Sequence, residues 1–218
     1  MAENTLTFGY WEFQGLAQPV RYLMEYYKVP YVDKIHQYRN KEEDWYKAVK
    51  PTLKTPFPNL PYLYDGDFLL TETLAIAQYV AGKTGHPDLK GKNEIDEIRI
   101  SEVFGVIDQV RGTIIDLGTD PDFSKIRDSV ISGKIIPQFE KLSKKLGDNE
   151  YMIGYLTYVD FFVYHYIQFL ERMTPFVKDY PNLQKYVERF DSHENIKTYK
   201  ASERYPKHLL RYNCSFPG

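Results

Sequence analysis

Residues 6–38 change their hydrophobic period twice, and that restricts the fold more than any other stretch of the chain. "LTFGYW" alternates, with Leu6 and Phe8 on one face and Thr5 and Thr7 on the other, as a half-buried strand requires. From Gln18 the repeat lengthens, and Val20, Leu23, Met24 and Tyr27 form one helical stripe. Pro19 suits the first turn of that helix, where its missing N–H costs nothing. "PYVDKIHQY" (30–38) alternates again and predicts a second strand. A strand, a helix and a strand in so short a span read as a βαβ unit.

Downstream, "LPYLY" and "FLLT" flank "DGD" (65–67), and Asp-Gly between apolar runs predicts a hairpin. The spacing then predicts a helix over 72–85, with Leu74, Ala77 or Gln78, and Ala81 inward and Gly85 as its stop. Residues 86–93, "HPDLKGKN", lack periodicity and read as a linker. Beyond them the pattern is helical. Ile98, Val103, Val106, Ile107 and Val110 share a stripe, Pro137 should kink or divide a later helix, and Thr157 with Asp160 resembles a capping box. The expected organisation is α/β plus all-α: a domain over 1–85, a linker over 86–93 and a helical domain over 94–218.

A net charge of −2 leaves no basic field to gather nucleic acid or an anionic membrane. Apolar runs such as "LAIAQYVAG" (74–82) are too short to span a bilayer, and "MAENTLTF" lacks the charge-then-apolar order of a secretory signal. The single cysteine, Cys214, cannot form an internal disulfide and reads as an inert surface residue. Together these features predict a cytoplasmic protein. Aromatic residues reach 16%, which fits either an aromatic core or an aromatic-lined pocket.

The βαβ…ββα order suits a thioredoxin-like fold, whose redox members carry Cys-x-x-Cys at the first strand–helix turn. Here that turn is "YWEFQGLAQP", without a thiol. If this scaffold handles sulfur, the sulfur must arrive with a ligand. "TPFPNLPYL" (55–63) ends a proline-rich loop at a strand. If Pro61 is cis, the residue before it could pair with an extended peptide; otherwise the loop is simply a rigid turn. "TET" (71–73) opens a helix, either as plain capping or as a site for a carboxylate.

"GYW.FQGLAQPVR", "FPNLPYL.DGD", "T.TLAIAQYVA", "GYLTYVDFFVYHYIQFL" and "YPNLQKYVERF" together resemble the glutathione S-transferases, most closely the mu class, over nearly the whole chain. The resemblance implies an N-terminal thioredoxin-like domain that binds glutathione and a C-terminal helical domain that holds hydrophobic electrophiles. It implies conjugation of the glutathione thiolate, with Tyr10 as the catalytic hydrogen-bond donor. Trp11, Leu16 and Trp45 would contact the tripeptide, and Asn59 and Leu60 would pair with its backbone beside Pro61. Glu72 and Thr73 would receive the γ-glutamyl end, and Lys50 the glycyl carboxylate. Glutathione would be a co-substrate, with neither cofactor nor metal. The chain would form a homodimer with Phe57 as anchor, and Asp108 would approach the partner's glutathione.

Several positions depart from the mu pattern. Glu72-Thr73 replaces Gln-Ser, "YRNKEED" shortens the loop before Trp45, and Thr119 stands where mu enzymes carry an electrophile-side tyrosine. The short loop and some sigma-like features leave two alternatives: a glutathione-dependent isomerase of sigma type, or a non-catalytic binding or structural protein. Retention of Tyr10 favours the transferase.

Overall fold

Both period changes are realised as β1 (Leu6–Trp11), α1 (Gln18–Tyr27) and β2 (Tyr31–His36) in the computed structural model, which describes residues 5–210. Cys214 lies outside the described residues. β2 runs parallel to β1, with Leu6 opposite Tyr31 and Tyr10 opposite Ile35. β3 (Tyr62–Asp65) pairs antiparallel with β1, and the Asp-Gly turn returns the chain as β4 (Phe68–Thr71), giving the order β2-β1-β3-β4. Gly66 there has φ +58, a left-handed conformation that glycine adopts without a steric penalty.

The alternation in β2 does not place its apolar residues inside. Val32 and Ile35 face solvent while Asp33 turns inward. Asp33 is held there by Arg21, which α1 buries completely and whose charge requires a carboxylate. α2 (Thr73–Lys83) buries Ile76, Ala77, Val80 and Ala81, so its inner stripe is rotated from the expected one: Gln78 is exposed and Leu74 half-buried. That helix ends at Lys83, with Gly85 at φ +76. Residues 86–93 are pinned rather than loose, because Leu89 is buried and Lys92 N–H donates to Tyr155 Oη at 3.0 Å.

α3 (Glu94–Thr119) buries Ile100, Val103, Ile107, Val110, Ile114 and Leu117, whereas Ile98 is exposed and Val106 half-buried. A 3.6-residue stripe through Val103, Ile107 and Val110 extends to Ile100, not to Ile98. α4 (Phe123–Val130) passes through a π-helical turn (Ile131–Ile135) into α5 (Ile136–Leu146), with Pro137 in its first turn. The irregular turn falls where Pro137 cannot donate a backbone hydrogen bond to the preceding turn.

α6 (Tyr158–Glu171) is the buried axis of the helical region. At its start the Asp160 carboxylate accepts from Thr157 N–H and Thr157 Oγ at 2.8 Å, Met152 N–H at 2.9 Å and Tyr186 Oη at 2.9 Å. The expected Thr157–Asp160 capping box is present, and it also ties α6 to α7 (Pro181–Ser192) through Tyr186. α8 (Glu194–Ala201) closes the packing against α1, where Asn195 Nδ2 donates to Tyr26 O at 2.8 Å.

Candidate active site

The site begins at the corner between β1 and α1. Tyr10, the fifth residue of β1, is only 5% exposed, and its hydroxyl accepts the Leu16 N–H at 3.0 Å. The loop can bring that N–H so close because residue 15 is glycine. Its φ is +42, and a Cβ there would lie 2.5 Å from Tyr10 Oη. Arg21 stiffens the same loop from below. Its Nε and Nη2 grip Asp33 at 2.8 and 3.2 Å, and Nη1 and Nη2 donate to Phe13 O and Trp11 O at 3.2 and 3.4 Å. From the far end of the chain, His208 O and Leu209 O accept from Gln14 N and Gly15 N at 2.9 Å, and Gln14 Nε2 donates to Pro206 O.

Burial pushes the Tyr10 hydroxyl up to about 12, against the opposing pull of the Leu16 N–H and then of the Arg21 and Arg111 charges. Tyr10 is therefore a neutral phenol at physiological pH. One of its lone pairs is occupied by Leu16, and its proton has no acceptor among the described residues.

Two recesses meet beside this phenol and share Leu16, Arg111 and Tyr166 as walls. The first, about 430 Å³, has polar groups along one side: Asn59, Glu72, Thr73 and Asp108. α2 starts here, with Glu72 just before it at φ +72, an unusual conformation for a residue with a side chain. The first backbone N–H groups of α2 lie beside Glu72 and Thr73, where a carboxylate could be held. The second recess, about 200 Å³, is walled by Tyr10, Phe13, Tyr38, Ile114 and Phe169 and is mainly apolar.

The fold thus brings Tyr10, Trp11 and Leu16 from β1 and its loop together with Asn59, Glu72 and Thr73. Asp108 lines the cleft of its own chain and binds Arg111 Nε at 2.6 Å. Trp45, Lys50, Phe57, Leu60 and Pro61 are not walls of either recess. Trp45 is buried, stacked 6.1 Å from Tyr62 and edge-on to Trp11 at 6.2 Å, and so supports Trp11 from behind. Lys50 is half-buried in a surface turn, its Nζ 5.5 Å from the Tyr46 ring. Leu60 and Pro61 are buried at a cis peptide bond, and Phe57 is 68% exposed. Thr119 lines the apolar recess, but its hydroxyl donates to Ile115 O and Asp116 O of its own helix.

Arg111, His165, Tyr166 and the clamp residue Arg21 escaped the sequence reading. Arg21 and Arg111 each interrupt an apolar helical stripe, which was a legible signal. His165 and Tyr166 sit inside the aromatic run of α6, where nothing local distinguishes a wall from core.

Residues 6–82 match the glutathione S-transferase N-terminal domain model and residues 119–203 the glutathione S-transferase C-terminal domain model. A glutathione S-transferase of Tyrophagus putrescentiae is 36% identical over 200 residues, covering 90% of this chain and 89% of that one. The chain belongs to the glutathione S-transferase family. The class-mu 26 kDa isozyme 1 of Fasciola hepatica is 34% identical over 214 residues, covering 96% and 93% of the two chains. The fold is that of the Onchocerca volvulus Pi-class glutathione S-transferase, with a TM-score of 0.83 over 96% of this chain and 99% of that one at 18% identity. The transferase frame accounts for both the thioredoxin-like sheet without a cysteine pair and the helices packed against it.

Proposed function

We propose that this glutathione S-transferase uses Tyr10 to hold the glutathione sulfur as a thiolate and conjugates it to apolar electrophiles in the smaller recess. The observation that carries this reading is the state of Tyr10: neutral, buried, supplied with one donor by Leu16 and left with an unused proton at the junction of the recesses. A thiolate is the nucleophile, and an unperturbed thiol is mostly protonated at neutral pH. Lowering its pKa by about 2 units takes roughly 2.7 kcal/mol of preference for the anion. One charge-assisted hydrogen bond in a site shielded from water is of that size.

The tripeptide then lies along the polar recess. Its γ-glutamyl ammonium faces Glu72, its α-carboxylate faces Thr73 and the start of α2, and its cysteinyl backbone runs beside Asn59, Leu60 and Pro61. Trp11 and Leu16 cover the sulfur end, with Trp45 behind Trp11 and Lys50 toward the glycyl carboxylate. The protein acts as a cytoplasmic detoxifying homodimer with Phe57 as its anchor. Asp108, on the cleft wall, adds negative charge near the γ-glutamyl ammonium. Neither a metal nor a cofactor is required.

Replacing Tyr10 by phenylalanine removes only the hydroxyl. Ultraviolet titration of the bound thiolate should show its pKa raised by about 2 units, with glutathione affinity within a few-fold of wild type. An unchanged pKa would exclude the proposed role.

A further inference from the structure

The Leu16 N–H that donates to Tyr10 belongs to the same planar peptide group as the Gly15 carbonyl. Whatever holds that carbonyl therefore aims the N–H. At the start of α1 the carbonyls of Gln14 and Ala17 accept the Gln18 and Arg21 N–H groups at 3.0 Å. By the same spacing Gly15 O would accept from residue 19, which is Pro19 and has no N–H. Gly15 is buried, so its carbonyl is left without a backbone donor among the described residues, a costly state. Across the apolar recess wall stands a second orphan. His165 is 1% exposed, lines the recess with Tyr10, Gly15 and Leu16, and has no hydrogen-bond partner of normal geometry at either ring nitrogen. The Gly15 backbone favours protonation of the ring, as a carbonyl facing a ring N–H does. Burial nevertheless keeps the imidazole neutral, with one N–H and one lone pair. Tyr22, Tyr166 and Phe169 box the ring at centroid distances of 6.4, 4.8 and 6.2 Å.

We infer that His165 is a positioning residue: its ring N–H closes on the Gly15 carbonyl, and the Gly15–Leu16 peptide relays that pull to the Tyr10 hydroxyl. This rests on the reading that Tyr10 holds the glutathione sulfur as a thiolate. The chain of donors runs from the His165 ring to Gly15 O, from Leu16 N–H to Tyr10 Oη, and from the Tyr10 proton to sulfur. Each bond polarises the next, which strengthens hydrogen bonds in series by roughly 10–30%. No proton changes owner. Hydrogen bonds that serve a reaction often reach full geometry only when the reacting group is in place. In this arrangement α6 acts on the sulfur only through the loop, and the missing N–H of Pro19 is what leaves the carbonyl open to it.

The test measures the pKa of the glutathione thiol bound to wild type, His165→Phe, His165→Asn and His165→Gln, each also in a Tyr10→Phe background. His165→Phe keeps a flat ring without a donor and should raise the thiol pKa by about 0.5 unit. KM for glutathione should stay within about twofold of wild type. Asn and Gln each place an N–H near the position of one ring nitrogen, and one of these two variants should restore the wild-type value. In the Tyr10→Phe background the same substitutions should change nothing, because the relay ends at the missing hydroxyl. A loss that neither amide restores, or that persists without the Tyr10 hydroxyl, would show packing alone and overturn the relay. So would an unchanged thiol pKa in His165→Phe beside a raised one in Tyr10→Phe. A second readout does not depend on thiol chemistry. With leucine amides isotopically labelled, the Leu16 amide proton resonance should move upfield in His165→Phe, and an unmoved resonance would overturn the relay. If Tyr10→Phe leaves the thiol pKa unchanged while the Leu16 resonance responds to His165→Phe, the thiolate reading fails and the hold of His165 on the loop stands.

Discussion

At Tyr10 two local influences oppose each other: burial favours the neutral phenol, while the Leu16 N–H and two guanidinium charges favour the phenolate. Burial wins, and that outcome makes the side chain a donor rather than a base. His165, on the wall of the apolar recess, is governed by the same physics with the opposite sign. It is fully buried, and its ring nitrogens lack a hydrogen-bond partner of normal geometry. Burial brings it down to about 3, helped by the Arg172 charge and opposed only weakly by the Gly15 backbone. The unfolded chain takes up a proton below its ordinary value of about 6.5, whereas the folded protein refuses that proton until near 3. Folding stability therefore falls as pH drops through that window, by up to about 1.4 kcal/mol per pH unit. His165→Phe should show a shallower decline between pH 6.5 and pH 4 in urea-midpoint measurements. Parallel curves for the two proteins would mean that His165 protonates without unfolding the chain.

At the scale of elements, α6 carries His165 and Tyr166 into the cleft, and one carboxylate sets where it starts. Asp160 is fully buried and gathers the donors of Thr157, Met152 and Tyr186. Desolvation raises its pKa in spite of these four hydrogen bonds, so the site holds the carboxyl at a cost and repays it through satisfied donors. Asp160→Ala would orphan two buried backbone N–H groups, each worth about 1–3 kcal/mol. We expect a loss of several kcal/mol in denaturant unfolding, together with a weakened electrophile site, because the α6 wall would shift. Full stability in the variant would show that water or a relaxed backbone replaces the carboxylate.

For the whole molecule, the most exposed apolar side chains among the described residues are Phe57, Ile95 and Ile98. Phe57 projects from the Pro56–Pro58 loop at 68% exposure, and Ile95 and Ile98 stand 64% and 55% exposed at the start of α3. Flanking prolines hold Phe57 away from its own core, and an aromatic displayed on a stiff loop suits an interface anchor. A two-fold pairing would bury such groups against a second copy of the chain. If the chain pairs as proposed, Phe57→Ser should be monomeric at micromolar concentration in sedimentation where wild type is dimeric, and should bind glutathione more weakly, since the same loop leads to Asn59 and Leu60. A monomeric wild type, or a fully dimeric variant, would disprove the anchor.

The hydrophobic periods of residues 6–38, the Asp-Gly hairpin and the Thr157–Asp160 cap were determined by the sequence, because each depends on residues only a few positions apart. The place of Tyr10 at the strand–helix joint, and the lack of a protein thiol beside it, were legible for the same reason. The tertiary structure alone decided which way the faces turn. Val32 and Ile35 are exposed while Asp33 is held against buried Arg21, and α2 buries Ile76 and Val80 along with Ala77 and Ala81. It alone also joined Arg111 of α3 to Tyr166 of α6. Those residues stand far apart in the chain, and each by itself reads as an ordinary member of a helix. Only the packing of α3 against α6 brings both side chains to the walls of the same two recesses.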